Sequence, residues 1–120
     1  MPRAATTTDA FNAIAEPRRR QIVDLLARRG ALAVGAMVIA LGLPQPAVSK
    51  HLGVLRKVGI VSVTKDGQQR RYHLQARELK PMYDWLKTYE RFWTHQLDRI
   101  KSRAERSASS SQPKPSRGSS

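Results

Sequence analysis

The sequence predicts a mainly helical fold with one small β-hairpin, an α+β domain in the order α-α-α-α-β-β-α. Three observations carry that prediction. Between Ala33 and Leu74 the chain reads AVGAMVIALGLPQPAVSKHLGVLRKVGIVSVTKDGQQRRYHL, a short helical pattern, a break, a longer helical pattern and two runs around Asp66-Gly67. Apolar residues on either side of this stretch recur at three- and four-residue steps, the period of a helix. The 120 residues leave room for one domain with a small core. A helix, a tight turn, a second helix and a basic hairpin in that order make a winged helix-turn-helix.

Each element has its own signal. In residues 6–15, Phe11 and Ile14 lie at helical spacing, with Thr8 or Asp9 placed to cap the first turn. Pro17 suits the first turn of a second helix, marked by Ile22, Val23, Leu25 and Leu26. Arg28, Arg29 and Gly30 signal its end. A third, short helix shows Val34, Met37, Val38 and Leu41 on one arc, and Gly42-Leu43-Pro44 stops it. Ile39 falls off that arc, which leaves it either a contact to a second copy or a tolerated exposed residue. The fourth helix runs from Gln45 to Val58 and ends at Gly59.

Residues 60–64 and 70–74 read as strands, and Lys65-Asp66-Gly67 is a hairpin signal. From Arg77 to Glu105 a single helical pattern of 29 residues continues, with Pro81 in its first turn, where its missing N–H breaks no helical bond. Residues 1–8 are expected as a flexible N-terminus, 9–106 as the folded domain with a long C-terminal dimerisation helix, and the Ser/Pro-rich residues 107–120 as a disordered tail.

Charge narrows the function. Lys and Arg number 22 against 9 Asp and Glu, a formal net charge of +13. Between Pro17 and His73 stand eleven basic residues and two acids, a net +9, so the positive field sits on the helix-turn-helix and hairpin. Such a field attracts polyanions: nucleic acid, an anionic membrane surface or acidic proteins. No apolar run approaches the roughly 18 residues needed to span a bilayer. The N-terminal MPRAATTTDA carries no apolar signal core, so the expected location is cytoplasmic, without a membrane partner. The absence of cysteine excludes disulfides, thiol redox sensing and thiolate metal sites. Three separated His, no Ser/His/Asp arrangement, no glycine-rich phosphate loop and no paired acids argue against an enzyme, and no cofactor is expected.

The fourth helix divides cleanly when stepped at about 100° per residue. Ala47, Val48, His51, Leu52, Val54, Leu55 and Val58 share one side; Gln45, Pro46, Ser49, Lys50, Gly53, Arg56 and Lys57 share the other. The second side suits the DNA major groove, which admits one helix and is read by side chains near its N-terminus. Gln45 is matched to adenine, Lys50 to guanine, Ser49 to a base or a phosphate, and Arg56 and Lys57 to the backbone. A solvated face of an ordinary surface helix is the alternative. His51 falls in the apolar arc and is read as a hydrogen-bonded core histidine. Arg19 stands at the edge of the second helix's buried side and is expected in an internal ion pair, which leaves Arg18 and Arg20 as the freer phosphate ligands. On the wing, Lys65, Gln68, Gln69, Arg70 and Arg71 suit a neighbouring minor groove or its phosphates, while Tyr72 and Leu74 pack the hairpin onto the body.

Three segments, DAFNAIAEPRRRQIVDLL, LGLPQPAVSKHLGVLRKVGIV and DGQQRRYHL, give residues 9–100 a resemblance to the ArsR family of winged-helix bacterial repressors. The resemblance implies a homodimeric transcriptional regulator, usually a repressor released by an inducer. Several members sense metals, through Cys pairs near the helix-turn-helix or through carboxylate and His ligands on the last helix. The first arrangement has no ligands here. Of the second, His95 and Asp98 keep the spacing of one half-site, but Asp84 stands where another His is expected and Met82 replaces a carboxylate. Solvated charges are the expected reading, a vestigial metal site at Asp84, His95 and Asp98 the alternative. Pro44 also stands where a capping Ser or Thr is common.

The segment LKPMYDWLKTYERFWTHQLDRI resembles a non-metal branch of that family with an aromatic-rich terminal helix. Its residues alone point the same way. Leu79, Met82, Leu86, Tyr89, Trp93, Leu97 and Ile100 form a stripe that Trp85 and Phe92 widen beyond what one small domain covers. A second copy covers it, so Phe11, Leu79, Met82, Leu86, Tyr89, Phe92, Trp93 and Leu97 are the expected dimer interface. A wholly intramolecular core is the alternative, and a ligand pocket lined by Tyr83, Trp85, Phe92 and Trp93 an additional role.

Together these features predict a sequence-specific regulator that binds double-stranded DNA, a homodimeric repressor reading a palindromic operator through helix 45–58 and wing 65–71. Its half-sites would lie about one turn, ~34 Å, apart. A sequence-tolerant architectural DNA-binding protein is the alternative. The controlling signal, whether a small molecule or a protein effector, is not legible.

Overall fold

Helix α1 (Thr7–Ala15) and helix α2 (Pro17–Arg29) are separated by Glu16 alone, in a computed structural model that describes residues 7–111. Glu16 is extended, and its carboxylate accepts the Arg19 amide at 3.0 Å, capping α2 ahead of Pro17. Helix α3 (Val34–Leu41) ends at Gly42, whose φ of 65° is the left-handed conformation that lets its N–H return to Val38 O. Three residues later helix α4 (Gln45–Lys57) begins, capped by Pro44 through backbone only. Strands β1 (Val61–Asp66) and β2 (Gln69–Leu74) pair antiparallel around Gly67, from Val61 opposite Leu74 to Asp66 opposite Gln69.

The chain divides into two compact units, one ending at Tyr83 and one beginning at Asp84. The first has its core in Ile22, Met37, Val48, Leu52, Leu55 and Ile60, all fully buried, with Val23, Leu25, Leu26, Val61 and Tyr72 around them. Each large apolar side chain buried there contributes roughly 1.5–3 kcal/mol. Helix α4 packs on α2, α3 and β1, so its orientation is set from three sides. Leu32 adds a pairing that the sequence pattern does not announce: alone in its loop, it forms an antiparallel bridge to Tyr72.

The long helix expected from Arg77 to Glu105 is instead three pieces. A 3-10 turn (Ala76–Leu79) leads into α5 (Lys80–Lys87), with Pro81 in its first turn as expected, and α6 (Glu90–Ser111) follows. At the break, Thr88 N and Tyr89 N bond the carbonyls three residues back, Trp85 O and Leu86 O, rather than four back. The Thr88 hydroxyl also donates to Trp85 O at 2.7 Å, the local competition by which Thr interrupts a helical ladder. Helix α6 extends five residues into the segment expected as a tail; residues 112–120, and 1–6 at the other end, lie outside the described residues. Among the described residues, no helix is long and apolar enough to cross a membrane.

Candidate nucleic-acid interface

The two sides of α4 separate in space as they do in the sequence. Val48, Leu52 and Leu55 are buried and Ala47, His51, Val54 and Val58 half-buried, whereas Gln45, Pro46, Ser49, Lys50, Gly53, Arg56 and Lys57 are all exposed. A buried stripe recurring at three and four residues fixes the helix by packing, which leaves the opposite stripe free to project. That free stripe has amide and hydroxyl groups near the N-terminus and two cations in the last turn. A side chain of this length and polarity at the N-terminal end suits base edges, and the cations further along suit phosphates.

In the hairpin, Lys65, Gln68, Gln69 and Arg70 are exposed, with Lys65 directly opposite Arg70 in the register. Like charges facing one another across a strand pair repel, and a polyanion between them relieves the repulsion. Arg71 is held differently. It is half-buried and its Nε lies 3.5 Å from the Asp66 carboxylate, an exposed pair worth little in stability but enough to direct the side chain. Behind the tip, Thr64 and His73 share a 2.7 Å hydrogen bond and Gln75 donates to the Ser62 hydroxyl at 2.7 Å, stiffening the hairpin base. Neither contact is legible from charge patterning; the register that places Ser62 opposite His73 is the signal that finds them.

The arginines at the start of α2 correct the sequence reading. Among the described residues, the side-chain hydrogen bond of Arg19 goes to a carbonyl, its Nε donating to Ala13 O at 2.6 Å. Arg20, expected to be free for phosphate, donates to Ile14 O and Ala15 O, each at 3.0 Å. Both close the carbonyl end of α1, where cations are favoured by the unpaired carbonyls. Arg18 alone of the three turns to its own helix face, donating to Gln21 at 3.3 Å.

His51 lies on the packing side of α4, as expected, but its Nδ1 is sealed from solvent with no hydrogen-bond partner among the described residues. It stands near Glu16. Burial works to raise the Glu16 carboxyl, but hydrogen bonds from the Arg19 and Arg18 amides, with the charges of His51 and Arg19, hold it below its ordinary value of 4.5. Glu16 was not singled out by the sequence reading, although an acid directly before a helix-opening proline is a start signal.

The residues expected at a dimer interface fall into two groups. Phe11, Leu79 and Met82 are half-buried in the first unit, where Leu79 and Met82 pack on its core. Leu86, Tyr89, Phe92, Trp93 and Leu97 are exposed in the second unit, between 37% for Trp93 and 63% for Phe92. Trp85, Leu86, Tyr89, Phe92 and Trp93 line an open groove of about 410 Å³. Its rings contact one another, Trp85 edge-on to Tyr89 with centroids 5.4 Å apart. Ile39, 84% exposed, is off the buried arc of α3 as its spacing implied. Among the described residues, no group of three or more His, Asp or Glu is placed to hold a metal ion; His95 and Asp98 instead share a groove with arginines.

Known proteins share this arrangement. A family profile described as bacterial regulatory protein, arsR family, matches residues 16–63, from the cap of α2 through α4 into β1. An uncharacterised HTH-type transcriptional regulator of Methanocaldococcus jannaschii is 35% identical over 89 residues, 72% of this chain and 100% of the relative. The transcriptional repressor SdpR of Bacillus subtilis is 31% identical over 78 residues, 65% of this chain and 86% of the relative. Among solved structures, a homodimeric winged helix-turn-helix DNA-binding domain from Mycobacterium bovis aligns with a TM-score of 0.57 at 28% identity, over 68% of this chain and 74% of that one.

Proposed function

The chain belongs to the ArsR family of bacterial regulatory proteins and is a DNA-binding transcriptional regulator, not an enzyme, and from that premise we propose that it acts as a homodimeric repressor reading a palindromic operator. The exposed polar stripe of α4 carries the proposal. Gln45, Ser49 and Lys50 enter the major groove and meet base edges, with Pro46 in van der Waals contact; Arg56 and Lys57 hold the adjoining phosphates. Lys65, Gln68, Gln69, Arg70 and Arg71 contact the neighbouring minor groove or its phosphates. The exposed aromatic face of the second unit and the homodimeric state of the Mycobacterium bovis neighbour support a dimer. A repressor among the relatives supports the direction of control, and action on genomic DNA fits a cytoplasmic location.

The test begins with a genome-wide map of bound sites, in which an enriched palindrome supplies the operator. Lys50→Ala then weakens binding to that operator by tenfold or more, the worth of one good base contact, while random duplex loses much less. Equal losses on both duplexes would restrict Lys50 to phosphate and favour a sequence-tolerant DNA-binding protein. A promoter bearing the operator is more active when the protein is absent; lower activity in its absence would make the protein an activator.

A further inference from the structure

We infer that α6 carries a second DNA-contacting surface, a ridge of Arg99, Arg103 and Arg106 with His95 at its start, which lies along phosphates flanking the sequence that is read. The inference rests on the reading of the chain as a DNA-binding regulator and adds a surface that helix α4 and the wing do not include. At about 100° per residue, these four side chains fall within about 80° of arc on one face of α6. All four are exposed, and with Asp98 and Ser102 they line one shallow groove of about 330 Å³. Among the described residues, none of the three guanidinium groups is engaged in an ion pair.

Three unpaired arginines on one face repel each other, and a helix tolerates that for a reason other than its own stability. From Arg99 to Arg106 the helix rises about 10.5 Å at 1.5 Å per residue. Phosphates of one DNA strand advance about 3.4 Å each along the duplex axis, and the winding of the strand sets neighbouring phosphates further apart than that. Long arginine side chains fanning outward from the ridge span that larger separation, each guanidinium able to meet a phosphate with two parallel hydrogen bonds.

The neighbouring faces distinguish DNA from a lipid surface. The apolar stripe of α6, through Trp93, Leu97 and Ile100, lies about a third of a turn from the ridge, so a second copy packed on that stripe leaves the ridge open. On the stripe's other flank stand Glu90, Asp98 and Glu105, with Lys101 among them. An anionic bilayer bound through the stripe would meet all of those carboxylates, whereas a phosphate backbone bound at the ridge meets Asp98 alone, outnumbered by three arginines in the same groove.

The test compares the full chain with the triple variant Arg99→Ala/Arg103→Ala/Arg106→Ala on a random-sequence 40-base-pair duplex, reading affinity against salt. Each phosphate contact contributes about 0.9 to the slope of log affinity on log salt, so the variant's slope falls by about 2–3 for each protomer bound. Alanine keeps these exposed positions helical, and circular dichroism confirms that the fold is intact. The corresponding triple Lys variant retains most of the slope, and Arg103→Gln alone lowers it by about 0.9. An unchanged slope in the Ala variant overturns the ridge while leaving α4 and the wing as the DNA surface. Loss of binding to vesicles containing phosphatidylserine, with the DNA slope unchanged, overturns it in favour of a membrane contact. A wild-type chain that binds no duplex overturns the regulator reading itself, and the ridge with it.

Discussion

Leu32 and Tyr72 exchange both backbone hydrogen bonds, Tyr72 N to Leu32 O at 2.8 Å and Leu32 N to Tyr72 O at 3.1 Å. One loop residue between α2 and α3 is thereby joined to the returning strand of the wing. The Tyr72 ring, 8% exposed, packs in the same core as Val48 and Leu52 of α4. The base of the wing and the packing side of α4 are thus parts of one body. Tyr72→Ala removes the ring and leaves a cavity, which costs about 3 kcal/mol. Urea denaturation measures it, and a loss below about 1 kcal/mol would mean that the ring does not hold the hairpin in place.

Arg18 and Arg19 are adjacent and differ in what they do. Arg19 is half-buried and bonds the carbonyl of Ala13 across the α1–α2 corner; Arg18 is exposed. Replacing Arg19 by Ala frees a carbonyl and a charged hydrogen bond, with an expected loss of about 1–2 kcal/mol in unfolding free energy. Arg19→Lys restores little of it, since an ammonium cannot reproduce the geometry of the guanidinium Nε. Arg18→Ala leaves the unfolding midpoint within experimental error. Equal destabilisation by the two Ala variants would show that the corner contact contributes nothing.

Glu16 makes stability depend on pH in one direction. Its carboxyl is held below the ordinary value of 4.5 in the folded chain, so the folded state favours the ionised form. The unfolded chain binds a proton more readily, and the stabilising contribution is present in full above 4.5. It is lost as pH falls below that value and through the lowered folded one. Glu16→Gln removes this contribution, so the wild-type and variant thermal midpoints differ at neutral pH and converge in acid. A difference that widened as pH fell would contradict the assignment of Glu16 as an ionised cap.

The legible parts of this fold are those where one period runs uninterrupted. In α4 and its cap Val58 every residue falls on the side that a 3.6-residue period assigns, because packing on three neighbours makes burial follow the stripe. The hairpin was legible from Asp66-Gly67, since few sequences other than such a pair allow the positive φ of 65° at Gly67. The break after α5 was not. Leu86, Tyr89 and Trp93 follow at three and four residues whether the turn between them is α or 3-10, so the apolar pattern passes through the interruption unchanged. The roles of Arg19 and Arg20 were hidden for a different reason: cations beside a DNA-reading unit suggest phosphate, and only the adjacency of α1's carbonyl end shows another use.

The exposed aromatic face of the second unit yields the prediction on assembly. Tyr89 and Phe92 have ring centroids 6.3 Å apart, and both residues are exposed. A cluster of exposed rings is energetically unfavourable in a monomer, and a second copy of the same face removes it from water. A charge placed there must be desolvated on association but not on folding. Tyr89→Glu/Phe92→Glu therefore keeps the helical circular dichroism spectrum while light scattering gives half the wild-type mass. Operator affinity falls with it, because two half-sites linked through a dimer gain on the order of 10²–10⁴ over independent binding. Phe92→Leu, which stays apolar, retains both the mass and the affinity. A double Glu variant that scatters light like the wild type would move the dimer contact away from this face, and unchanged operator binding by a proven monomer would remove the dimer from the mechanism.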